Sequence, residues 1–344
     1  MTLPPPPPLE VHPSLINTAC PWATTLDDLR RLYACPATGA VTTRTSMLNG
    51  FDHDPAKHQY AFFDAAQSGP AQNASLNSLG YSPHPLSSYL AFIRTISYEQ
   101  PARSSKVFIV SVTGTPADIA ASYALLATAA PTLHFPLAME INLSCPNIPD
   151  HPPPAYSREA LTTYLTHLQH AITTTTTPTV PRIPVGLKTP PYTYTTQFTN
   201  LISALTISSS DNGCPISFLT ATNTLGNSLL FLNPSREDSQ NTPSSESTPV
   251  RALPGEGIGG LAGSPLHPLA LGNVATLRRM LDEAGFGGEG SSRVRIVGVG
   301  GVMGADGYRR MRAAGAEVVG LATGLGVKGV GVFGEVEEGL GGRW

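Results

Sequence analysis

The 344-residue chain has a net charge of -3 at neutral pH, and 13% of its residues are charged, against about 25% in an average protein. That balance leaves no electrostatic footprint for nucleic acid or an anionic membrane, while a hydrophobic content of 41% supports a substantial core. The four cysteines (Cys20, Cys35, Cys145, Cys214) form no C-x-x-C pair and have no histidine at ligand spacing, which argues against a metal centre and against a disulfide framework. No run reaches the ~18 apolar residues of a membrane span, and the N-terminus is neither a signal nor a transit peptide. The expectation is a cytoplasmic protein with small-molecule partners, no membrane, no nucleic acid and no metal.

Residues 1–12 are Pro-rich and are expected to be disordered; residues 13–344 read as a single domain. Short Val- and Ile-rich runs predict eight strands, at 15–18, 40–43, 107–112, 138–143, 184–188, 217–222, 295–299 and 317–321. Helix-length segments separate most of them. Thr25 caps one with acids in its first turn, and Thr115 precedes another with Pro116 at its first position. Strand and helix alternating about eight times predict an α/β fold, a (β/α)8 TIM barrel with inserted loops over the C-terminal face of the strands. A doubly wound open sheet is the alternative, but it calls for a G-x-G-x-x-G after an early strand, and none occurs. Residues 173–177, with Pro178, Pro181 and Pro184, read as a stiff surface connection. Residues 233–256 are too polar to pack and read as a flexible insertion. Residues 324–344 should form the last barrel helix, weakened by its glycines at up to ~1 kcal/mol each.

In such a barrel chemistry is built where strands finish. The fourth predicted strand opens into Asn142, Ser144, Cys145, Pro146 and Asn147, a thiol flanked by amides, where a thiolate can act as base while the amides hold a flat polar ligand. Lys188, one of only four lysines, stands at the tip of a buried strand, where a charge is costly without an anionic partner. Asn223 and Thr224 end strand six, and Arg44 and Thr45 end strand two. Gly300 and Gly301 follow strand seven; with Gly259, Gly260 and Thr323 they offer main-chain N–H groups and a helix N-terminus to a phosphate monoester.

Together these residues resemble the dihydroorotate dehydrogenases, and among them the soluble, homodimeric, fumarate-using class. The resemblance runs from about residue 15 to 340. Its markers are Asn77-Ser-Leu-Gly80, Asn142-Leu-Ser-Cys-Pro-Asn147, Gly186-Leu-Lys-Thr-Pro-Pro-Tyr192, Asn223-Thr-Leu-Gly-Asn227, Gly257-Ile-Gly-Gly260 and Gly298-Val-Gly-Gly301. It implies FMN-dependent oxidation of dihydroorotate to orotate in pyrimidine synthesis, with fumarate as acceptor. Cys145 would be the catalytic base. Substrate would be bound by Arg44, Asn77, Leu79, Gly80, Asn142, Asn147, Asn223 and Thr224. The FMN would be held by Thr18, Ala19, Arg44, Thr45, Asn142 and Lys188, and by Gly259, Gly260, Gly300, Gly301, Ala322 and Thr323. The chain departs from the family pattern at Arg44, where lysine is usual, in the loop 48–60 with His53 and His58, at Cys20-Pro21 and at Ala322. An action on another dihydropyrimidine, or flavin binding with little catalysis, stays open at this point.

Overall fold

The computed structural model describes residues 5–66, 72–147, 152–232, 249–288 and 293–344. In chain order these hold β1 (Leu15–Asn17), α1 (Leu26–Ala34), β2 (Ala40–Thr42), β3 (Tyr60–Phe63), β4 (Ala74–Asn77), α2 (Leu86–Glu99), β5 (Val107–Val112) and α3 (Pro116–Ala129). There follow β6 (Leu137–Asn142), α4 (Arg158–Thr175), β7 (Val185–Thr189), α5 (Thr195–Asn212), β8 (Phe218–Ala221), β9 (Leu225–Leu229), β10 (Phe231–Leu232) and β11 (Val250–Arg251). The last are β12 (Ile258–Gly263), α6 (His267–Glu283), β13 (Arg295–Val299), α7 (Ala305–Ala313), β14 (Val318–Leu321), α8 (Thr323–Lys328) and α9 (Gly331–Leu340).

Eight parallel strands close into a barrel in the order β1, β2, β5, β6, β7, β8, β13, β14, the last pairing with the first. All eight predicted strands are barrel strands, with ends shifted by a residue at most. Helix starts follow local chemistry. Thr25 and Asp28 form a reciprocal capping box on α1, and Thr115 and Asp118 form another on α3, behind Pro116. Each satisfies amide donors that the first helical turn leaves unpaired.

Two apolar layers hold the barrel. One lies between strands and helices; the other fills the barrel with Ile16, Val107, Ile109, Ala138, Phe218, Val297 and Val318. The sequence gives no hint that Leu9 and Val11 join this inner layer, but both are buried there. Arg295 fixes the segment by donating to the Leu9 carbonyl and pairing with Glu10. Residues 5–12 are therefore packed, contrary to the expected disorder. Two apolar side chains at alternate positions face the same way in extended chain and seal one end of the barrel.

A second sheet, antiparallel in the order β3, β4, β12, β9, stands beyond the C-terminal ends of the strands. Its strands come from insertions after β2 and β8. Of the expected flexible stretch 233–256, residues 233–248 lie outside the described residues. The remainder corrects the reading, since β11 pairs with β10 and Leu253 is buried. The expected surface connection at 173–177 is helical through Thr175, as α4 extends that far. The final helix is two helices, broken at Gly329 with φ 68°. Buried Val332, Phe333, Val336 and Leu340 hold α9 despite its glycines, so packing outweighs propensity.

Candidate active site

The strand ends surround a cavity enclosing about 730 Å³, partly open to solvent, and a second of about 460 Å³ beside it. Ala19, Lys188, Asn223, Thr224, Ala322 and Thr323 line both, so the two are lobes of one site.

The first lobe gathers the polar strand ends. Asn142, at the tip of β6, donates through Nδ2 to the Thr45 hydroxyl at 3.0 Å. Asn223 donates to the Asn142 carbonyl oxygen of the amide at 3.3 Å and to the Ser144 hydroxyl at 3.0 Å. Across the lobe, Asn147 donates to Asn77 Oδ1 at 3.0 Å and to the Leu79 carbonyl at 2.9 Å. Arg44 donates to the Gly80 carbonyl at 3.2 Å. Thr224 is fixed by its own N–H donating to Asn223 Oδ1 at 2.8 Å. The amides thus orient one another along the cavity wall, an arrangement suited to a ligand bearing carbonyls and N–H groups.

Beneath them the network continues into the barrel. The Thr45 and Ser111 hydroxyls lie 2.9 Å apart, and Ser111 and Thr220 both donate to the buried Glu140 carboxylate, at 2.9 and 2.7 Å. A buried carboxylate is tolerable only with such partners. The Lys188 ammonium has no hydrogen bond or ion pair among the described residues, yet its residue is only 5% exposed. It lines both lobes and, with Arg44, brings two cations to the site. Burial lowers the Arg44 guanidinium below its ordinary value, but such a group starts so high that it stays charged.

Two thiols line this lobe. Burial pushes Cys20 up to about 12. Burial also raises Cys145, but the Asn147 backbone, Lys188, the Tyr81 hydroxyl and Arg44 all pull the other way. Lys188, Arg44 and a backbone N–H pull Cys20 down as well, but burial outweighs them there.

The second lobe is built from backbone. Gly300 and Gly301, at φ 135° and 70°, line it with Thr18, Gly263 and Thr323. The Thr323 hydroxyl is held 2.9 Å from that of Ser75. Buried Thr222 Oγ1, in the same lobe, has no partner among the described residues.

Of the residues expected from the sequence, all but two border the lobes. Gly259 and Gly260 do not. They pack against Asn77 and Thr224, where a Cβ on Gly259 would lie 2.4 Å from the Asn77 carbonyl oxygen and one on Gly260 2.2 Å from Thr224 Oγ1. Their close approach positions the two polar side chains, and Ala262 and Gly263, further along β12, reach the cavity instead. His53 and His58 line neither lobe; they stack at 5.3 Å, and His58 Nδ1 accepts from the Asp54 N–H. Burial, then Arg44, lowers His53.

Sequence reading missed Trp22, Tyr60 and Tyr81. Trp22 and Tyr60 meet edge to face at 5.6 Å and wall the first lobe. A tryptophan directly after a strand end was the available signal for the first. Nothing in spacing marks the others.

The sequence model of the dihydroorotate dehydrogenase family matches residues 65–343. The fumarate-type dihydroorotate dehydrogenase of Trypanosoma cruzi is 29% identical over 329 residues, covering 94% of this chain and 87% of that protein. Dihydroorotate dehydrogenase A (fumarate) of Lactococcus lactis subsp. cremoris is 26% identical over 319 residues, covering 92% and 86%. The crystal structure of a ligand-free dihydroorotate dehydrogenase from Eimeria tenella superposes with a TM-score of 0.68 at 17% identity, covering 95% of this chain and 83% of that one, a likeness of fold. With the family match spanning most of the barrel and the strand-end insertions, the chain belongs to the dihydroorotate dehydrogenases, a family of oxidoreductases.

Proposed function

We propose that this chain oxidises dihydroorotate to orotate in pyrimidine synthesis, using bound FMN and passing the electrons to fumarate. The observation that carries this reading is Cys145 in one lobe with four asparagine amides and two cations. Over the exchange, dihydroorotate and fumarate become orotate and succinate, so atoms and electrons balance.

Cys145, as thiolate, takes the proton from carbon 5 of the substrate. Asn77, Asn142, Asn147 and Asn223 orient the pyrimidine so that this carbon meets the sulfur, which makes the proton transfer effectively intramolecular. Arg44 offers a fork of donors to a carboxylate, of the substrate or of fumarate. When bound, FMN supplies the acceptor for the hydride leaving carbon 6. The residues present fit that group in chemistry. Lys188 offers an unpaired cation to a reduced, anionic ring. The unpartnered Thr222 hydroxyl and the Gly300-Gly301 backbone offer donors to a polar chain ending in phosphate.

No helix among the described residues is long and apolar enough to cross a membrane. A cytoplasmic homodimer is the assembly we favour: exposed Leu229, Phe231, Leu232, Val250 and Ile258 offer an apolar surface on β9 to β12 that pairing would cover.

The test is anaerobic. Dihydroorotate should bleach the protein's yellow colour and fumarate should restore it. Binding of dihydroorotate without bleaching would overturn the reading.

A further inference from the structure

Gly300 and Gly301 lead from β13 towards α7 and line the second lobe. The start of α6 grips this turn. His267, the first residue of that helix, is buried, and its ring Nδ1 lies 2.7 Å from the Gly300 carbonyl oxygen. Arg310, on α7, donates from Nε to the other ring nitrogen, Nε2, at 3.1 Å. A guanidinium can only donate, so Nε2 is the acceptor. The ring proton therefore sits on Nδ1 and is donated to Gly300.

The turn is also close-packed. Gly301 has φ 70°, and a Cβ on it would lie 2.6 Å from both the Gly263 carbonyl oxygen and His267 Cβ. A trans peptide is planar, with its carbonyl and its N–H on opposite sides. Holding the Gly300 oxygen on His267 thus turns the Gly301 N–H away from the histidine. That N–H donates to no group among the described residues. The Thr222 hydroxyl, on a residue only 2% exposed, is a second unpartnered polar group in the same lobe. Two donors kept free in one lobe match a group made of acceptor oxygens, as a phosphate is.

We propose that His267 is a positioning residue for the phosphate end of FMN: by holding the Gly300 carbonyl it aims the Gly301 N–H into the second lobe. The inference rests on reading this lobe as the place of the flavin's phosphate. Neither His267 nor Arg310 lines a lobe, so both act through the turn.

The test compares FMN with riboflavin, which shares the ring and lacks the phosphate. Each is titrated by flavin fluorescence into the full chain freed of flavin, with and without His267→Phe, which keeps a ring and removes the donor. FMN should bind about tenfold more weakly to His267→Phe, the worth of one hydrogen bond to a charged group, while riboflavin affinity stays unchanged. His267→Asn, whose amide N–H stands near the place of Nδ1–H, should regain most of the preference for FMN. Equal weakening of both flavins, or a preference for FMN that survives His267→Phe, would overturn the proposal. Where His267→Phe does not fold, His267→Leu, also without a donor, carries the same comparison. An unsubstituted chain that binds the two flavins alike would remove the phosphate reading of the lobe, and this proposal with it. Neither titration uses dihydroorotate, so the bleaching result is read separately.

Discussion

Cys20 lines the same lobe as Cys145 but is buried, and its thiol, pushed up to about 12, stays protonated across the physiological range. Cys145 stands at the tip of a strand with a cavity before it. Its ionisation is also raised by burial, so at neutral pH most of the population carries S–H and only a fraction is base. Deprotonation grows with pH, and kcat/KM for dihydroorotate should rise on the alkaline side by about tenfold per pH unit until the raised value is reached. A profile flat from about pH 6 to about pH 9 would remove Cys145 from the role. In the same assay Cys145→Ala should stay yellow and lose about 10²- to 10⁴-fold in turnover, the usual worth of a general base. The place of Cys145 in the cavity was legible because an apolar run broke into a thiol between amides. That of Tyr81 was not, since a tyrosine after glycine in a polar loop looks the same whether it faces solvent or a cavity.

The barrel strands could be read because Val- and Ile-rich runs buried on both faces need no partner to be recognised. β4 and β12 could not. Their segments, ASLN and IGGLAG, have low intrinsic strand preference, and they pair because the barrel rim brings them together. The glycines of that rim carry positional meaning. Gly186, in β7, faces the Phe218 ring, and a Cβ there would come within 2.2 Å of it. Phe218 is wholly buried in the inner layer and cannot retreat. Gly186→Ala should therefore destabilise by about 1–3 kcal/mol through overpacking, read as a lower denaturation midpoint at unchanged slope. An unchanged midpoint would mean that the ring has room to move. Gly326 plays the same part for Trp22, whose ring occupies the place of a side chain and thereby reaches the cavity wall.

Across the whole molecule, the barrel has one functional end and one closed end. The site lies where strands finish; at the other end Leu9 and Val11 complete the inner layer. Pro-rich composition concealed this, because disorder was inferred from prolines while two apolar residues among them did the packing. Leu9→Ala should cost about 2–5 kcal/mol, the range for a fully buried leucine, and leave the pH profile of turnover unchanged. A shifted profile would show that the closed end communicates with the site.

The β1–β14 pairing has a consequence for biosynthesis. During translation β1 leaves the ribosome first and has no neighbour on one side until β14, some three hundred residues later, has been made. For most of synthesis the nascent sheet carries an open edge, and its Leu9 and Val11 have only part of their pocket. Joining such distant segments is entropically slow, and exposed strand edges invite association with other chains. Closure of the ring must therefore wait for the two strand segments made farthest apart in time.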